Sequence, residues 1–356
     1  MRYTTSTSMV SIDPKHPQPD LLQQAADVIQ RDGLVAFPTE TVYGLGANAL
    51  REVAIERIFS AKERPYHDPI IVHIADMDNL HQLAINIPEQ ALRLAHAFWP
   101  GALTLVLERA PQLPSLLAQG MPTVAVRMPV HPVARELIRY AQVPIAAPSA
   151  NRFTRPSATS AQHVVEDLFN HVDLILDGGD ATIGIESTVI DMTQNPPVIL
   201  RPGGIPVERI HQVVSEVKWM LHNPKNDDPT PPKSPGMLSK HYSPRAEVLL
   251  FEGEASRVIE AMRHKSLELG QDHKSVGVLS TDEEAHFFLE TGARVISMGS
   301  VNNLEQVAHV LFRAMRVLDN QHVEKILVRG YGKQGLGAAI WDRLVRSADG
   351  KIIYVE

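Results

Sequence analysis

Lys62-Glu63-Arg64 sets two cations two residues apart, just before Pro65. The first 200 residues hold only one other lysine, Lys15, in a Pro-rich leader. Lysine is a compact point charge and arginine a planar fork, so in an extended turn the two suit a polyphosphate better than a single carboxylate. On a helix, residues two apart diverge. The bland alternative is a helix C-terminus whose solvated cations complement the dipole.

Further polar clusters follow apolar runs. Pro38-Thr-Glu-Thr-Val-Tyr-Gly-Leu-Gly46 offers two hydroxyls, a carboxylate, a phenol and two glycines. It reads as a loop after a strand, its glycines letting backbone approach a small polar ligand. Pro148-Ser-Ala-Asn151 repeats the arrangement after another strand, and ligands gather at the carboxyl ends of strands in open α/β sheets. Ser149 and Asn151 can hydrogen-bond a phosphate or a ribose. Arg152 and Arg155 read as solvated loop cations, with phosphate or RNA as the sharper alternative. Arg127, ending Val124-Ala-Val-Arg-Met128, suits an amino-acid carboxylate bidentately, or else is paired or snorkelling. His73 in Ile70-Ile-Val-His-Ile74 is a core histidine by default and a ligand contact otherwise. Ile185-Glu-Ser-Thr-Val189 and Leu200-Arg-Pro-Gly-Gly204 add hydroxyls and another strand-end arginine. No nucleophile–base pair stands out. The set points to catalysis by positioning and charge neutralisation, as in attack on a phosphate.

One motif misleads. Gly330-Tyr-Gly-Lys-Gln-Gly335 matches a dinucleotide fingerprint, but the acidic residue that motif needs about 20 positions on, at a second strand's end, could here only be the C-terminal Glu356. It is read as a structural strand-to-helix turn.

Periodicity supplies the elements that must position these residues. It predicts helices over 20–31, 52–61, 89–98, 132–140 and from a Ser160 cap to Phe169. Strands are predicted over 34–38, 69–75, 103–107, 123–128, 143–147, 172–176, 187–191 and 198–200. Residues 222–245 carry six prolines and read as a linker, yet Ser234 to Pro244 holds a cation, an imidazole and a phenol, more than a spacer needs. Beyond it, strands over 246–251, 276–279, 293–297, 323–328 and 352–355 alternate with helices, the clearest over 303–318. The predicted fold is α/β: one large mixed sheet, then a smaller doubly wound parallel sheet. The boundaries expected are a catalytic domain over 15–210, a linker and active-site lid over 211–245, and a C-terminal domain over 246–356.

At 356 residues the chain has room for two domains. No apolar run reaches membrane-spanning length and the N-terminus has no apolar signal core, so a cytoplasmic protein is expected. The absence of cysteine excludes disulfides, iron–sulfur clusters, thiolate catalysis and Cys-type zinc sites. A net charge of −7 argues against a protein that coats RNA by its bulk field, while leaving room for a local basic pocket for a small anion.

PTETVYGLGANAL, KERPYHDPIIVHI, WPGALTLVL, VAVRMP, PSANRFTRPSATS, IESTVID and LRPGG together resemble the YrdC/TsaC family of L-threonylcarbamoyladenylate synthases over residues 20–205. SPGMLSKHYSP and the α/β tail resemble its long, two-domain form. The resemblance implies a YrdC-like domain with a large twisted mixed sheet and a concave cleft, plus a Rossmann-like C-terminal domain. It implies ATP-dependent synthesis of threonylcarbamoyl-AMP from L-threonine and bicarbonate, with pyrophosphate released. Mg²⁺ would come with ATP, with no dedicated protein ligands. The product would pass to other proteins that modify tRNA beside the anticodon, any tRNA contact of this chain being weak or transient. By resemblance, Lys62 and Arg64 are catalytic. Thr41, His73, Arg127, Ala147 and Ser187 would surround threonine. Arg64, Asp68, Thr123, Ser149, Asn151, Ser157, Arg201 and, from the linker, Tyr242 would meet ATP. Asp68 departs from the Asn that many relatives carry, and needs a cation beside it near a triphosphate. Two other classes compete: an RNA-binding translation or ribosome-assembly factor, and the carbamoyl transferase of hydrogenase maturation, whose cysteine motifs this chain lacks.

Overall fold

The computed structural model describes residues 6–66, 68–219 and 241–356. They fall into two units: residues up to Phe153 with those from Ser157 onward before the linker, and Thr154–Pro156 with the C-terminal part.

In the first unit the elements run β1 (Ser8–Ser11), α1 (Pro19–Gln30), β2 (Val35–Phe37), β3 (Gly44–Asn48), α2 (Glu52–Lys62), β4 (Ile71–His73), α3 (Leu80–Leu83), β5 (Ala84–Ile85), α4 (Glu89–Phe98) and β6 (Leu103–Arg109). They continue as β7 (Thr123–Arg127), α5 (Pro132–Ala141), β8 (Ile145–Ala146), α6 (Ala161–Leu168), β9 (Leu174–Asp177), β10 (Thr188–Asp191), β11 (Val198–Arg201), α7 (Val207–His211) and β12 (Lys218–Trp219). The strands form one mixed sheet in the order β1-β9-β2-β3-β8-β4-β7-β6-β10-β11-β12, with β5 beside β6.

Alternation along the strands sorts the side chains. Val72, Leu103, Leu105, Leu107, Val124, Val126 and Ile190 enter the main core, where α2, α3, α4 and α6 pack. On the other face, α1 and α5 cover Val35, Phe37, Ile145, Leu174 and Leu176. That cover stops near β4. Beyond it Ile71, Val106, Ala125 and Val189 form a separate small apolar cluster.

Helix ends follow local chemistry. The Ser160 side chain accepts from His163 N–H, as a helix cap does. α2 ends at Lys62 because Glu63 turns left-handed, with φ 54°.

Two expectations change. Residues 8–11 of the leader form an edge strand, parallel to β9. The second half of the Pro38–Gly46 motif is not loop but β3, antiparallel to β2. Its glycine at 46 serves packing: a Cβ there would lie 2.6 Å from the Phe37 ring and 2.8 Å from Ile145.

The second unit holds β13 (Glu247–Gly253), α8 (Ala255–Gln271), β14 (Val276–Ser280), β15 (Arg294–Ser297), α9 (Leu304–Asn320), β16 (Lys325–Arg329), α10 (Gly335–Ser347) and β17 (Ile352–Val355). All pairings are parallel, in the order β15-β14-β16-β13-β17. Val276 and Val278 meet α8, while Gly277 faces Leu318 of α9, so the sheet is wound on both faces. The Gly330–Gly335 stretch is the turn between β16 and α10.

Gly46→Ala should destabilise the protein by about 1–3 kcal/mol through overpacking against Phe37. A denaturant-unfolding midpoint equal to that of the parent would show that the ring yields without cost.

Candidate active site

Arg127 ends β7, buried, and donates in three directions: from Nη1 to Thr41 Oγ1 at 2.7 Å, from Nη2 to Glu40 Oε1 at 2.6 Å, and from Nε to the Gly101 carbonyl at 3.2 Å. Thr41 Oγ1 also lies 2.8 Å from Thr39 Oγ1. The Pro38–Gly46 motif thus supplies a counterion and a hydroxyl to the strand-end arginine. His73 pairs in register with Arg127 from β4 and packs edge-on against Phe37. Burial, and then the Arg127 charge, push the His73 pKa down to about 3, so its imidazole is neutral at pH 7. Its Nδ1 is buried without a hydrogen-bond partner.

On the other side of Arg127, Thr104 is its register partner on β6. Thr104 Oγ1 lies 2.8 Å from Ser187 Oγ. Arg201, at the end of β11, donates from Nε and Nη2 to the Ser187 carbonyl at 3.2 and 3.0 Å. The neighbouring Glu186 accepts a short hydrogen bond from Ser157 Oγ. Hydrogen bonds thus join Arg127 to Thr41 and Glu40, and Ser187 to Thr104 and Arg201, while strand register sets His73, Arg127 and Thr104 side by side.

A second set of polar groups gathers around Lys62 and Arg64, in the segments before β4 and after β8. Lys62 is buried, its Nζ donating to the carbonyls of Ser149, at 2.5 Å, and Asn151. It fixes the Pro148–Asn151 turn from beneath. Ala147 N–H donates to the Ile71 carbonyl, tying this segment to β4. Arg64 forms a buried ion pair with Asp68 at 2.8 Å and donates to the Asp68 and Pro69 carbonyls. Lys62 and Arg64 thus reach different carbonyls instead of converging through each other. Asp68 has the cation beside it that its charge requires. Thr123, at the start of β7, lines a cavity of about 590 Å³ with Glu108, Met121, Pro122 and Met192.

The flanking residues resolve differently. Glu63, between the two cations, pairs with Arg152 at 3.3 Å on the surface, where such a pair contributes little. Arg155 is not a solvated loop cation: it pairs with Asp319 at 2.9 Å within the second unit. Tyr242 also belongs to the second unit, fully buried, stacked on Phe312 at 5.2 Å and under the Arg343 guanidinium at 5.3 Å. Residues 220–240, where most of the expected lid falls, lie outside the described residues.

Sequence reasoning assigned no role to Glu40, Thr104 and Glu186. Glu40 was signalled by the need of a buried strand-end arginine for a counterion, and Thr104 by a lone hydroxyl in an apolar run.

His73 carries a pH signature. The unfolded chain protonates it near pH 6.5 and the folded chain only near pH 3, so its contribution to stability falls as pH drops through that window, by up to about 1.4 kcal/mol per unit. Between pH 7 and 5 the parent should lose about 2 kcal/mol more unfolding free energy than His73→Phe. Equal losses would mean that His73 protonates in the folded state.

Both units of the chain match known proteins. Residues 27–203 match the family model described as telomere recombination, of the Sua5, YciO and YrdC proteins, and 205–349 match that of the threonylcarbamoyl-AMP synthase C-terminal domain. Threonylcarbamoyl-AMP synthase of Pyrococcus abyssi is 45% identical over 93% of this chain and 95% of its own length. That of Bacillus subtilis is 43% identical over 93% and 94%. The crystal structure of P. abyssi Sua5 complexed with L-threonine superposes with a TM-score of 0.92 at 42% identity, covering 98% of this chain and all of that one. With both units matched in order and nearly full length, the chain belongs to the Sua5 family of threonylcarbamoyl-AMP synthases.

Proposed function

We propose that this enzyme makes threonylcarbamoyl-AMP from L-threonine, bicarbonate or CO₂ and ATP, releasing pyrophosphate, for other proteins to transfer to tRNA. The observation that carries the reading is strand register. β7 carries Arg127, register partner of His73 and Thr104, at one end and Thr123 at the other, and the Arg64–Asp68 pair lies just before β4, the strand parallel to β7. The ends are four residues apart, about 13 Å at 3.3 Å per residue, and the apolar Ile71–Ala125–Val106–Val189 cluster lies between them. An amino acid at one end and a nucleoside phosphate reaching from the other would meet in the middle.

The chemistry asks for charge control. The threonine amine adds to CO₂, giving a carbamate and a proton. A carbamate oxygen then bonds to the α-phosphorus of ATP as the bond to the pyrophosphate oxygen breaks. Two anions approach, so preorganised cations do more than a protein nucleophile could. Lys62 contributes a charge locked under the turn that carries Ser149 and Asn151. Arg201 faces the Ser187 end. Arg64, with part of its charge answered by Asp68, orders the approach to β4. Arg127 with Thr41 and Ser187 would hold the amino acid, and neutral His73 would accept its hydroxyl hydrogen. The cavity beside Thr123, walled by Met121, Pro122 and Met192, would seat the base. Among the described residues no group of three or more His, Cys, Asp or Glu side chains could hold a metal, and Asp68 is engaged by Arg64. Mg²⁺ would arrive as an ion carried by the triphosphate.

Incubation with ATP, threonine and labelled bicarbonate should release pyrophosphate only when all three are present, and should yield a labelled adenylate. Pyrophosphate release that ignores threonine would overturn the reading. Lys62→Met keeps the volume and removes the charge. It should slow release by about a hundredfold or more, and should also lower the melting temperature, because two buried carbonyls lose their donor.

A further inference from the structure

Glu40 uses only half of its carboxylate. It is buried, 5% exposed. Oε1 accepts from Arg127, whereas Oε2 is shielded from solvent and has no hydrogen-bond partner among the described residues. A buried carboxylate oxygen without a donor is costly, and such groups persist where something else supplies the donor. Arg127 has the complementary surplus. A guanidinium carries five N–H bonds; three of them go to Gly101, Thr41 and Glu40, which leaves two. The Arg127–Glu40 pair is electrically neutral as a whole. Spare donors suited to a carboxylate therefore sit beside a spare anionic acceptor suited to an ammonium group, with no net charge. That is the complement of an α-amino acid zwitterion, which is itself neutral overall and carries its two charges on one carbon.

We propose that Glu40 makes this end of the site select an amino acid: Oε2 receives the α-ammonium group while the two remaining N–H bonds of Arg127 take the α-carboxylate. The assignment rests on the reading that L-threonine is the substrate, and it adds what excludes the acid of the same shape that lacks the amine. Such an acid brings a net negative charge and leaves Oε2 unanswered. Removing the Glu40 charge reverses that logic. Arg127 then stands uncompensated, so a monoanion is favoured and the ammonium group is repelled.

The test measures binding of L-threonine, and of the hydroxy acid in which a hydroxyl replaces the ammonium group, to the full-length protein by calorimetry. Wild-type protein should prefer threonine by about tenfold to a hundredfold, the range of a charge-assisted hydrogen bond. Glu40→Gln keeps the shape and an acceptor for Arg127. It should weaken threonine about tenfold or more while tightening the hydroxy acid. Glu40→Asp keeps the charge but withdraws the oxygen, so threonine should weaken with the preference retained. An equal loss for both ligands in Glu40→Gln would show that Glu40 only holds Arg127, and overturns the proposal. The wild-type comparison stands even if both variants fail to fold. Equal wild-type affinities remove the Glu40 assignment alone, whereas wild-type protein that binds neither ligand removes the substrate reading and this assignment with it.

Discussion

A β-strand shows alternate residues to opposite faces, and in this chain the same few strands must build a core and a reactive surface at once. On β7, Val124 and Val126 enter the main core, while Thr123, Ala125 and Arg127 take the other face. β6 repeats the division with Leu103, Leu105 and Leu107 against Thr104 and Val106. Shifting either strand by one residue would turn Arg127 or Thr104 into the core and expose valine or leucine in its place. Register and site are therefore one constraint. Burial on the core side fixes the strands strongly, which is why polar groups on the other side can be placed without a rigid loop of their own.

The second constraint is the treatment of buried charge. Lys62, Arg64, Arg127 and Arg201 are all at most 6% exposed. Each is held by backbone carbonyls: Ser149 and Asn151, Asp68 and Pro69, Gly101, and Ser187 in turn. Arg64 and Arg127 have a carboxylate as well. Desolvating a cation costs several kcal/mol, and attraction to a carboxylate does not always repay it. Carbonyl oxygens lower that cost while leaving much of the positive field for a ligand. Cations fixed before the reaction need no reorganisation during it, which is where their electrostatic advantage lies.

Much of this was legible in the residues. Long periodic helices such as 89–98 and 303–318, the Ser160 cap and the alternation in the C-terminal half are local signals, and the structure carries them. β3 was not legible as a strand, because Gly44 and Gly46 suggest a loop. Gly46 is explained by packing, since the Phe37 ring from β2 and Ile145 from β8 occupy the space that a Cβ would need. Arg155 escaped for a similar reason: its partner Asp319 is 164 residues away. Strand-end polar residues could be found one by one, but their grouping depends on strand order. β8 pairs with both β3 and β4, and that joins the Pro38–Gly46 motif to His73 and the Ser149 turn.

Asp68 shows how pairing changes the meaning of a charge. Read alone, a carboxylate near a triphosphate repels it. At 2.8 Å from Arg64, both side chains almost fully buried, it instead forms half of a neutral unit. Two consequences follow. Arg64 brings less net positive charge to its end of the sheet than its type suggests, while Lys62 is held by the neutral carbonyls of Ser149 and Asn151. And Arg64, held by Asp68 and by the Pro69 carbonyl just before β4, is tied to the strand that carries His73. The same arrangement recurs in Arg127 with Glu40. In both pairs an arginine is oriented by a carboxylate that cancels its charge. Lys62 is oriented by the Ser149 and Asn151 carbonyls instead, so its charge is positioned by the same turn that presents those two side chains.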